Sequence, residues 1–269
     1  MLPYPDIDPV IFELGPLAVR WYGLMYVLGF LAAYFLVRYQ ARRYSHPGLE
    51  ERLDNLNLVL IISLILGSRL GYVLFYNFSY YLQHPLEIVA TWQGGMSFHG
   101  GLLGLVIGGW LFCRYTGLNF LRSADAYAVV APIGLGLGRL GNFINGELYG
   151  RVTDVPWAMV FPGAGPLPRH PSQLYEAFLE GLVLFVIMWF ALRLYWRRQW
   201  PAGRLVAIFL VGYGVFRFVV EFFREPDAHL GFVLGFLTRG QLLSSLMIMS
   251  GLLLWYIVNV HQQRSSRRA

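Results

Sequence analysis

The sequence predicts an all-α, polytopic integral membrane protein with about seven transmembrane helices. Of its 269 residues, 57% are hydrophobic and only 13% are charged, and the mean hydropathy of +0.51 lies well above that of ordinary soluble domains. The apolar segments run to about 20 residues, which matches helices that cross a hydrocarbon layer roughly 30 Å thick. A soluble protein would have to bury all of these segments in one small core. We therefore expect a single integral membrane domain over residues 1–269.

Seven apolar segments are each long enough to cross the bilayer as a helix. Arginines follow the first, third, fifth and last segments, and those after the last segment include Arg267 and Arg268. Arginine-rich loops stay cytoplasmic, so the C-terminus is predicted to be cytoplasmic and the N-terminus outside. Outside loops are then expected near 77–96, 143–173 and 224–239. The predicted segments are 19–38, 57–76, 97–114, 124–142, 174–194, 205–223 and 240–260.

The charged residues favour a membrane surface or an anionic substrate as the partner. All 21 basic residues are arginine, the net charge is +6, and no basic run is interleaved with aromatic residues as nucleic-acid binding would favour. A single cysteine, Cys113, excludes an internal disulfide and is expected to be a small buried residue. No cluster of ligand residues indicates a metal, so neither a metal nor a cofactor is expected.

Six polar side chains inside the apolar segments are predicted to lie in the outer half of the bilayer. With a rise of about 1.5 Å per residue, the four charged ones fall about 18 to 24 Å along their segments from the cytoplasmic side. A charge at such a depth costs at least about 2.5–3.5 kcal/mol on insertion scales, so these groups should face one another or a water-filled cavity. Ion pairing between helices is the alternative explanation. The six residues are Tyr22, Arg69, His99, Arg139, Arg217 and Glu221.

Residue spacing places several of these groups on shared helix faces. Tyr213, Arg217 and Glu221 recur every four residues and therefore form one stripe, within which Arg217 and Glu221 could simply satisfy each other. Arg139 and Asn142 are three residues apart and again share a face. The glycines around Arg139 allow close approach of a ligand or of another helix, and glycine packing is the rival explanation.

These residue types together suggest chemistry on a phospholipid at the outer leaflet. Arginine binds phosphate through a planar fork of donors and stays charged when it is partly desolvated. A histidine or glutamate nearby adds a capacity for proton transfer that headgroup binding alone does not need. A lipid transporter or scramblase is a second hypothesis, but its polar residues should cross both halves of the bilayer. A binding subunit would leave His99 and the two carboxylates, Glu147 and Glu221, unexplained.

The stretch GRLGNFINGELYGR at 138–151 closely resembles the signature segment of the bacterial prolipoprotein diacylglyceryl transferases. Further segments resemble the family in the same order: DPVIFELGPLAVRWYGLMY, GSRLGYVLFYN, GGMSFHGG, LPRHPSQLYEA and GYGVFRFVVEFFREPD. The resemblance extends across most of the chain, which is shorter between the fourth and fifth segments than some family members.

The resemblance implies an enzyme of the bacterial inner membrane with its active site toward the outer leaflet. Such an enzyme transfers the diacylglyceryl group of phosphatidylglycerol to the thiol of the lipobox cysteine in the signal peptide of a preprolipoprotein. A thioether forms and glycerol phosphate is released. The implied partners are therefore phosphatidylglycerol, the preprolipoprotein and the membrane.

The resemblance also implies a set of positions used for substrate binding or catalysis. Arg139 and Arg217 are expected to hold the lipid phosphate, and Glu221 to orient Arg217. His99 is the first candidate for the base that produces thiolate, and Glu147 is the second. Arg69, from its depth, and Asn145, from the signature, are added as substrate-binding candidates. The implied positions are Tyr22, His99, Arg139, Asn142, Glu147, Gly150, Tyr213, Arg217 and Glu221.

The outside segment before the fifth helix supports a structural or a substrate-binding interpretation. Ser172 is expected to cap that helix, whereas His170 and Gln173 could line an entrance for the peptide substrate. Arg151 and Arg169 are expected to be solvated, with steering of phosphate as the alternative.

Overall fold

The structure, a computed structural model, describes residues 2–15, 17–44, 46, 48–225, 232–233 and 237–266. Only the backbone is described at residues 17, 93, 232–233, 237 and 264–266. Arg267, Arg268 and two parts of the predicted outside loop, 226–231 and 234–236, lie outside the described residues. The chain divides into two compact units, one formed by residues 1–37 with 124–269 and the other by residues 38–123. The single domain over 1–269 stays a prediction.

The described residues are mostly helical, as the composition predicts. Five helical stretches are long and apolar enough to cross a membrane: Trp21–Arg43, Leu49–Phe75, Phe120–Ile144, Ser172–Arg197 and Arg239–Gln263. The predicted segments 97–114 and 205–223 correspond to helices of 19 and 17 residues that are not among these five. In chain order the helices are α1 Trp21–Arg43, α2 Leu49–Phe75, α3 Phe78–Gln83, α4 Phe98–Thr116, α5 Phe120–Ile144, α6 Ser172–Glu176, α7 Leu184–Arg197, α8 Arg204–Val220 and α9 Arg239–Ser266.

Two short antiparallel hairpins add to the predicted all-α architecture. Strands β1 (Val10–Leu14) and β2 (Leu17–Arg20) pair on either side of a turn that contains Gly15 with a φ of 59°. Because β2 runs to residue 20, the first helix begins at Trp21 and not at the predicted residue 19. Strands β3 (Phe232–Val233) and β4 (Leu237–Thr238) form the second hairpin.

In the unit of residues 38–123, α2 and α4 pack along small residues. Gly67 on α2 faces both Gly100 and Gly104 on α4, and a Cβ atom on Gly67 would lie 2.4 Å from the Gly100 carbonyl oxygen. Backbones of spanning helices can approach this closely only where side chains are absent or very small. Cys113 on α4 is 2% exposed, which confirms that it is a small buried residue.

Replacing Gly104 with alanine is expected to destabilise this helix pair by about 3 kcal/mol, because the packed backbones leave no room to relax. The added Cβ would lie 2.1 Å from the carbonyl oxygen of Ser63. Gly23→Ala is the matched control, since Gly23 on α1 has open space around it. The measurement is the amount of monodisperse protein left after heating in detergent. Equal losses for the two variants would contradict the proposed contact.

In the unit that combines residues 1–37 and 124–269, glycines again set the helix contacts. Gly136 on α5 contacts Gly181, which lies in a π-helical segment, Ala177–Val183, between α6 and α7. Gly141 on α5 lies against the ring of Tyr22, and a Cβ there would come within 2.8 Å of that ring. Glycine packing, the rival explanation for the α5 glycines, therefore applies at these positions.

Asp125 near the start of α5 fixes the start of α8. Its side chain accepts hydrogen bonds from the backbone N–H groups of Gly203 at 2.7 Å and Val206 at 2.9 Å. The residue is only 2% exposed. A carboxylate at a helix N-terminus satisfies N–H groups that have no partner within the helix and interacts favourably with the helix dipole. Asp125 is therefore a buried structural carboxylate.

Candidate active site

The chain reverses direction at the end of α5 through a glycine cap. Gly146 has a φ of 67°, its N–H bonds to the Phe143 carbonyl, and the Glu147 N–H bonds to the Asn142 carbonyl. These two bonds form a Schellman motif, in which glycine adopts the left-handed conformation without steric penalty. The motif turns Glu147 back toward the last turn of α5.

The exposed carboxylate of Glu147 is held by two asparagine side chains. Its Oε1 accepts from Asn142 Nδ2 at 2.8 Å and from Asn145 Nδ2 at 3.2 Å. The Glu147 carbonyl also accepts from Gln173 Nε2 at 2.6 Å. The predicted residues Asn142, Asn145 and Glu147 thus form one hydrogen-bonded group, and Gln173 belongs to its scaffold.

Arg139 and Arg217 meet on one carboxylate. Glu176 Oε2 lies 2.6 Å from Arg139 Nε and 3.0 Å from Arg217 Nη1. Arg217 also approaches Glu180 Oε1 at 3.9 Å and Glu221 Oε2 at 3.1 Å. The ion pairing between helices that the sequence left as an alternative is therefore present. We call Arg139, Arg217, Glu176, Glu180 and Glu221 the arginine cluster.

The two arginines are the more exposed side chains of the pairs that they form with Glu176 and Glu180. The side chains of Glu176 and Glu180 are 0% exposed, whereas those of Arg139 and Arg217 retain 19% and 13% exposure. The buried carboxylates fix the orientation of the guanidinium groups, because each charge-assisted hydrogen bond limits the directions in which the planar guanidinium can point. The accessible N–H groups of the arginines are suited to bind an anion such as phosphate.

Sequence analysis missed Glu176 and Glu180. Both lie inside the predicted segment 174–194, where an acidic residue should cost free energy unless a partner is present. This free-energy cost was the signal that could have identified Glu176 and Glu180 as site residues, because it applies to them as much as to Arg139. They were overlooked because Arg193, the arginine of the fifth segment, is 13 or more residues away from both acids and so does not indicate a pair within the helix.

The predicted stripe on α8 is present. Arg217 pairs with Glu221 one turn later, and Tyr213 one turn earlier stacks on Phe209 with ring centroids 5.8 Å apart. Glu221 also accepts from the Thr238 hydroxyl at 2.9 Å, at the end of β4 just before α9. Glu221 therefore contacts Arg217 and connects α8 to the residue before α9, while its role in orienting Arg217 for substrate stays a prediction.

Tyr22 lies in the first turn of α1, beside the end of α5. Its hydroxyl is 3.1 Å from that of Tyr26, and its ring contacts Gly141. Tyr22 is thus a neutral hydrogen-bonding group next to the asparagines that hold Glu147.

Gly150 occupies a position with no room for a side chain. A Cβ there would lie 2.4 Å from the Phe223 carbonyl and 2.7 Å from His170 Cβ. Its N–H donates to the His170 carbonyl at 2.8 Å, and the residue forms an isolated bridge with Arg224. This geometry explains the glycine by backbone packing, and contact with substrate stays a prediction.

Arg151 and Arg169, in the predicted outside segment, were expected to be solvated, but both side chains contact other groups of the protein. Arg169 is 16% exposed at its side chain, pairs with Glu225 at 3.0 Å and stacks over the Tyr149 ring at 4.9 Å. Arg151 Nε donates to the Arg224 carbonyl at 2.9 Å. Both side chains therefore brace the segment, because backbone carbonyls and an acid lie within their reach.

The predicted cap by Ser172 is wrong. Pro171 occupies the N-cap of α6, and no side chain there caps the helix. The Ser172 hydroxyl instead donates to the Leu148 carbonyl at 3.2 Å. Leu148 has a φ of 58°, in the left-handed region that non-glycine residues seldom adopt. The serine thus fixes the strained turn beside Glu147.

Burial lowers the pKa of His170 below its ordinary value of 6.5. Its Nδ1 lies 3.1 Å from the Tyr175 hydroxyl, and its ring packs edge-on to Phe223 at 5.3 Å. The folded protein therefore favours the neutral ring. The contribution of His170 to the free energy of unfolding is complete above pH 6.5 and is lost as the pH falls through the lowered pKa.

We therefore expect wild-type thermal stability to fall more than that of His170→Gln when the pH drops from about 7.5 to about 5.5. The difference in melting temperature should be about 2–4 °C at most, because the ring is partly exposed. Thermal unfolding in detergent at several pH values measures it. Parallel curves for the two proteins would contradict the assignment.

Arg69 and His99 belong to the other unit, residues 38–123. Arg69 is 4% exposed and donates to the backbone carbonyls of Glu87, Ile88, Gly94 and Gly95 at 2.6 to 3.1 Å. These bonds hold the predicted outside loop 77–96 to α2, so its contact with substrate stays a prediction.

His99 is exposed in the first turn of α4. Its ring packs edge-on against Phe98 at 5.7 Å. Ser97 caps the helix by accepting from the Gly100 N–H at 3.2 Å. An exposed imidazole on a capped helix is accessible for proton transfer.

No group of three or more His, Cys, Asp or Glu residues in the described part of the chain is placed to hold a metal ion. The expectation that no metal or cofactor is needed stays a prediction.

Comparison with known proteins agrees with the signature segments. The sequence profile of the prolipoprotein diacylglyceryl transferase family matches residues 9–257. The chain is 57% identical over 262 residues to the phosphatidylglycerol–prolipoprotein diacylglyceryl transferase of Desulfotalea psychrophila, covering 97% of this chain and 96% of that protein. It is 57% identical over 256 residues to the protein of the same name from Geobacter sulfurreducens, covering 95% and 97%.

A relative of the same name from Vibrio vulnificus is 52% identical over 265 residues, covering 97% of this chain and 96% of that protein. Similarity at this level and over nearly the whole length does not arise from membrane composition alone. The chain belongs to the prolipoprotein diacylglyceryl transferase family.

Proposed function

We propose that this chain is a transferase that moves the diacylglyceryl group of phosphatidylglycerol to a prolipoprotein. Relatives that share half or more of its residues carry that activity in their names. The observation that carries the proposal is the arginine cluster, in which buried carboxylates orient two partly exposed guanidinium groups. A lipid phosphate is an anion that such groups recognise.

The proposed acceptor is the thiol of the lipobox cysteine in the signal peptide. The thiolate attacks the carbon of the diacylglyceryl group that is bonded to the phosphate oxygen. A C–S bond forms at this carbon, and its C–O bond to the phosphate breaks. The electron pair of the broken bond stays on the phosphate oxygen, and glycerol phosphate leaves. Arg139 and Arg217 stabilise the charge that grows there, which is the step where fixed donors lower a barrier most.

A base must take the thiol proton, because a free cysteine has a pKa of about 8.5 and is mostly protonated at neutral pH. We propose His99 as this base and Glu147 as the second candidate. Glu147 is exposed, but its Oε1 already accepts from Asn142 and Asn145. Asn142 and Tyr22 supply neutral hydrogen bonds, while Asn145, Gly150, Tyr213 and Arg69 are proposed to support substrate binding.

We further propose that the protein crosses the bacterial inner membrane seven times, with its N-terminus outside. The five long apolar helices support a multi-pass membrane protein. Arginines concentrated after alternate segments support the orientation through the positive-inside rule. In this orientation the arginine cluster opens toward the outer leaflet.

The proposal is tested with purified protein, phosphatidylglycerol and a peptide that carries a lipobox cysteine. Peptide mass and glycerol phosphate release are followed together, and the two products should appear in equal amounts. A peptide with serine in place of the cysteine is the control and should give neither. If a folded, lipid-binding sample formed no adduct on the cysteine peptide, the cluster would have to be a lipid-binding or transport site.

A further inference from the structure

Glu176 is the shared partner of the two arginines. One oxygen, Oε2, contacts Arg139 Nε on α5 and Arg217 Nη1 on α8, at 2.6 and 3.0 Å. The Glu176 side chain is 0% exposed, and among the described residues its Oε1 has no hydrogen-bond partner. A single buried carboxylate therefore determines where two guanidinium groups from different helices meet.

The two arginines are bound to Glu176 in different ways. Arg217 uses Nη1 for Glu176 and Nη2 for Glu221, so both of its terminal nitrogens contact acids. Arg139 uses Nε, and the contact recorded for its terminal nitrogens in the described chain is a long one, Nη1 to Asn142 Oδ1 at 3.5 Å. The terminal fork of Arg139 is therefore the part of the cluster that remains able to bind phosphate bidentately.

We propose that Glu176 is a positioning residue that aims the terminal fork of Arg139 at the lipid phosphate and keeps Arg217 behind it as a fixed charge. This inference rests on the proposed function and deepens it by assigning a different role to each arginine. Arg139 binds the phosphate, Arg217 supplies a positive field, and Glu176 sets the distance between them.

The π-helical segment explains how so short a carboxylate side chain reaches α5. A Cβ atom on Gly136 would lie 3.0 Å from Gly181 Cα and 3.4 Å from the Ala177 carbonyl, so the two backbones nearly touch. Glu176 lies one residue before this segment and Arg139 three residues after Gly136. π-Helical turns occur often at functional sites, where they reorient side chains.

The test compares Glu176→Gln and Glu176→Asp with a matched control, Asp125→Asn. The control changes a buried carboxylate that caps α8. The readouts are kcat and KM with phosphatidylglycerol, inhibition by glycerol phosphate, and the amount of folded protein. Glu176→Gln should lower kcat/KM about 10²-fold or more, as expected when a donor to a developing oxyanion is lost. Glycerol phosphate inhibition should weaken by a similar factor. Asp125→Asn should change only the folded amount.

Double variants separate positioning from a general structural role. If Glu176 acts through Arg139, then Glu176→Gln in an Arg139→Lys background should cost much less than it costs in the wild type. Additive losses, or a Glu176→Gln protein whose folded fraction keeps wild-type kcat/KM, would overturn the proposal.

Where Glu176→Gln does not fold, Glu176→Asp decides the question. It keeps the charge but is one methylene shorter, so it should still fold, and kcat/KM should fall while glycerol phosphate inhibition weakens. Full activity of Glu176→Asp would overturn the positioning role. Wild-type turnover is measured first: if the wild type makes no adduct, the proposed function itself fails, whereas normal wild-type turnover with unaffected Glu176 variants defeats only this inference.

Discussion

Arg217→Ala is expected to abolish turnover and to remove most of the folded protein. The change deletes the positive group that contacts Glu176, Glu180 and Glu221, and the first two of these acids are fully buried. Breaking a buried ion pair by removing one partner typically costs about 3–5 kcal/mol, because the other charge stays buried without compensation. Such a loss is a large fraction of the stability of a typical domain.

The measurement is folded yield after size exclusion in detergent, together with adduct formation on the lipobox peptide. Arg193→Ala is the control, because Arg193 is an exposed arginine on α7 that stacks on Phe190. The control should keep wild-type yield and activity. Normal yield and turnover of Arg217→Ala would show that the pairing at Arg217 contributes neither stability nor catalysis.

Lysine variants separate charge from fork geometry at the two arginines. Arg139→Lys should fold, since its side chain is partly exposed, but should lose about 10²–10³-fold in kcat because one ammonium cannot donate bidentately. Arg217→Lys keeps a charge near Glu176 yet cannot contact Glu176 and Glu221 as a planar fork does. Full activity of either lysine variant at equal protein levels would contradict a role for that arginine in holding phosphate.

His99→Gln is expected to reduce turnover by about 10²–10⁴-fold while lipid binding persists, which is the range that a positioned general base contributes. His99 is exposed at the capped start of α4, so the change should not disturb packing. The measurements are adduct formation and binding of phosphatidylglycerol by the same preparation.

A selenocysteine peptide distinguishes a base from other roles. A selenol is ionised at neutral pH and needs no base, so His99→Gln should react with the selenocysteine peptide at close to the wild-type rate. Glu147→Gln is tested in parallel. If Glu147→Gln alone showed this rescue, the base would be Glu147, and if His99→Gln failed with both peptides, His99 would have a different function.

Much of the candidate site was predictable because charges inside apolar segments are costly wherever the chain folds. Arg139, Arg217 and Glu221 were identified by that cost, and their proximity is observed. The same argument applied to Glu176 and Glu180, but without a spacing pattern to an arginine in their own helix it did not single them out. Their partners come from α5 and α8, and only folding brings those helices to α6 and the π-helical segment.

For two other residues, the contacts in the structure differ from those that the sequence predicted. Ser172 bonds to Leu148 and does not cap its helix, and Arg169 pairs with Glu225 where solvation was expected. In both cases the side chain found a partner distant in sequence, which propensity rules for neighbouring residues do not include. The missed hairpin of β1 and β2 is similar, since two strands of five and four residues carry a weak pattern.

The sequence by itself determined the class of protein, the approximate helical segments and the family, because hydrophobic length and ordered motifs are properties of the chain alone. Only the tertiary structure decided how the charges are shared: one buried carboxylate, Glu176, holds two arginines and leaves the terminal fork of Arg139 available. The physical reason is that these ion pairs depend on distances of 2.6 to 3.9 Å between atoms on different helical segments. Close contact at Gly136 and Gly181, which brings α5 and the π-helical segment together, sets those distances.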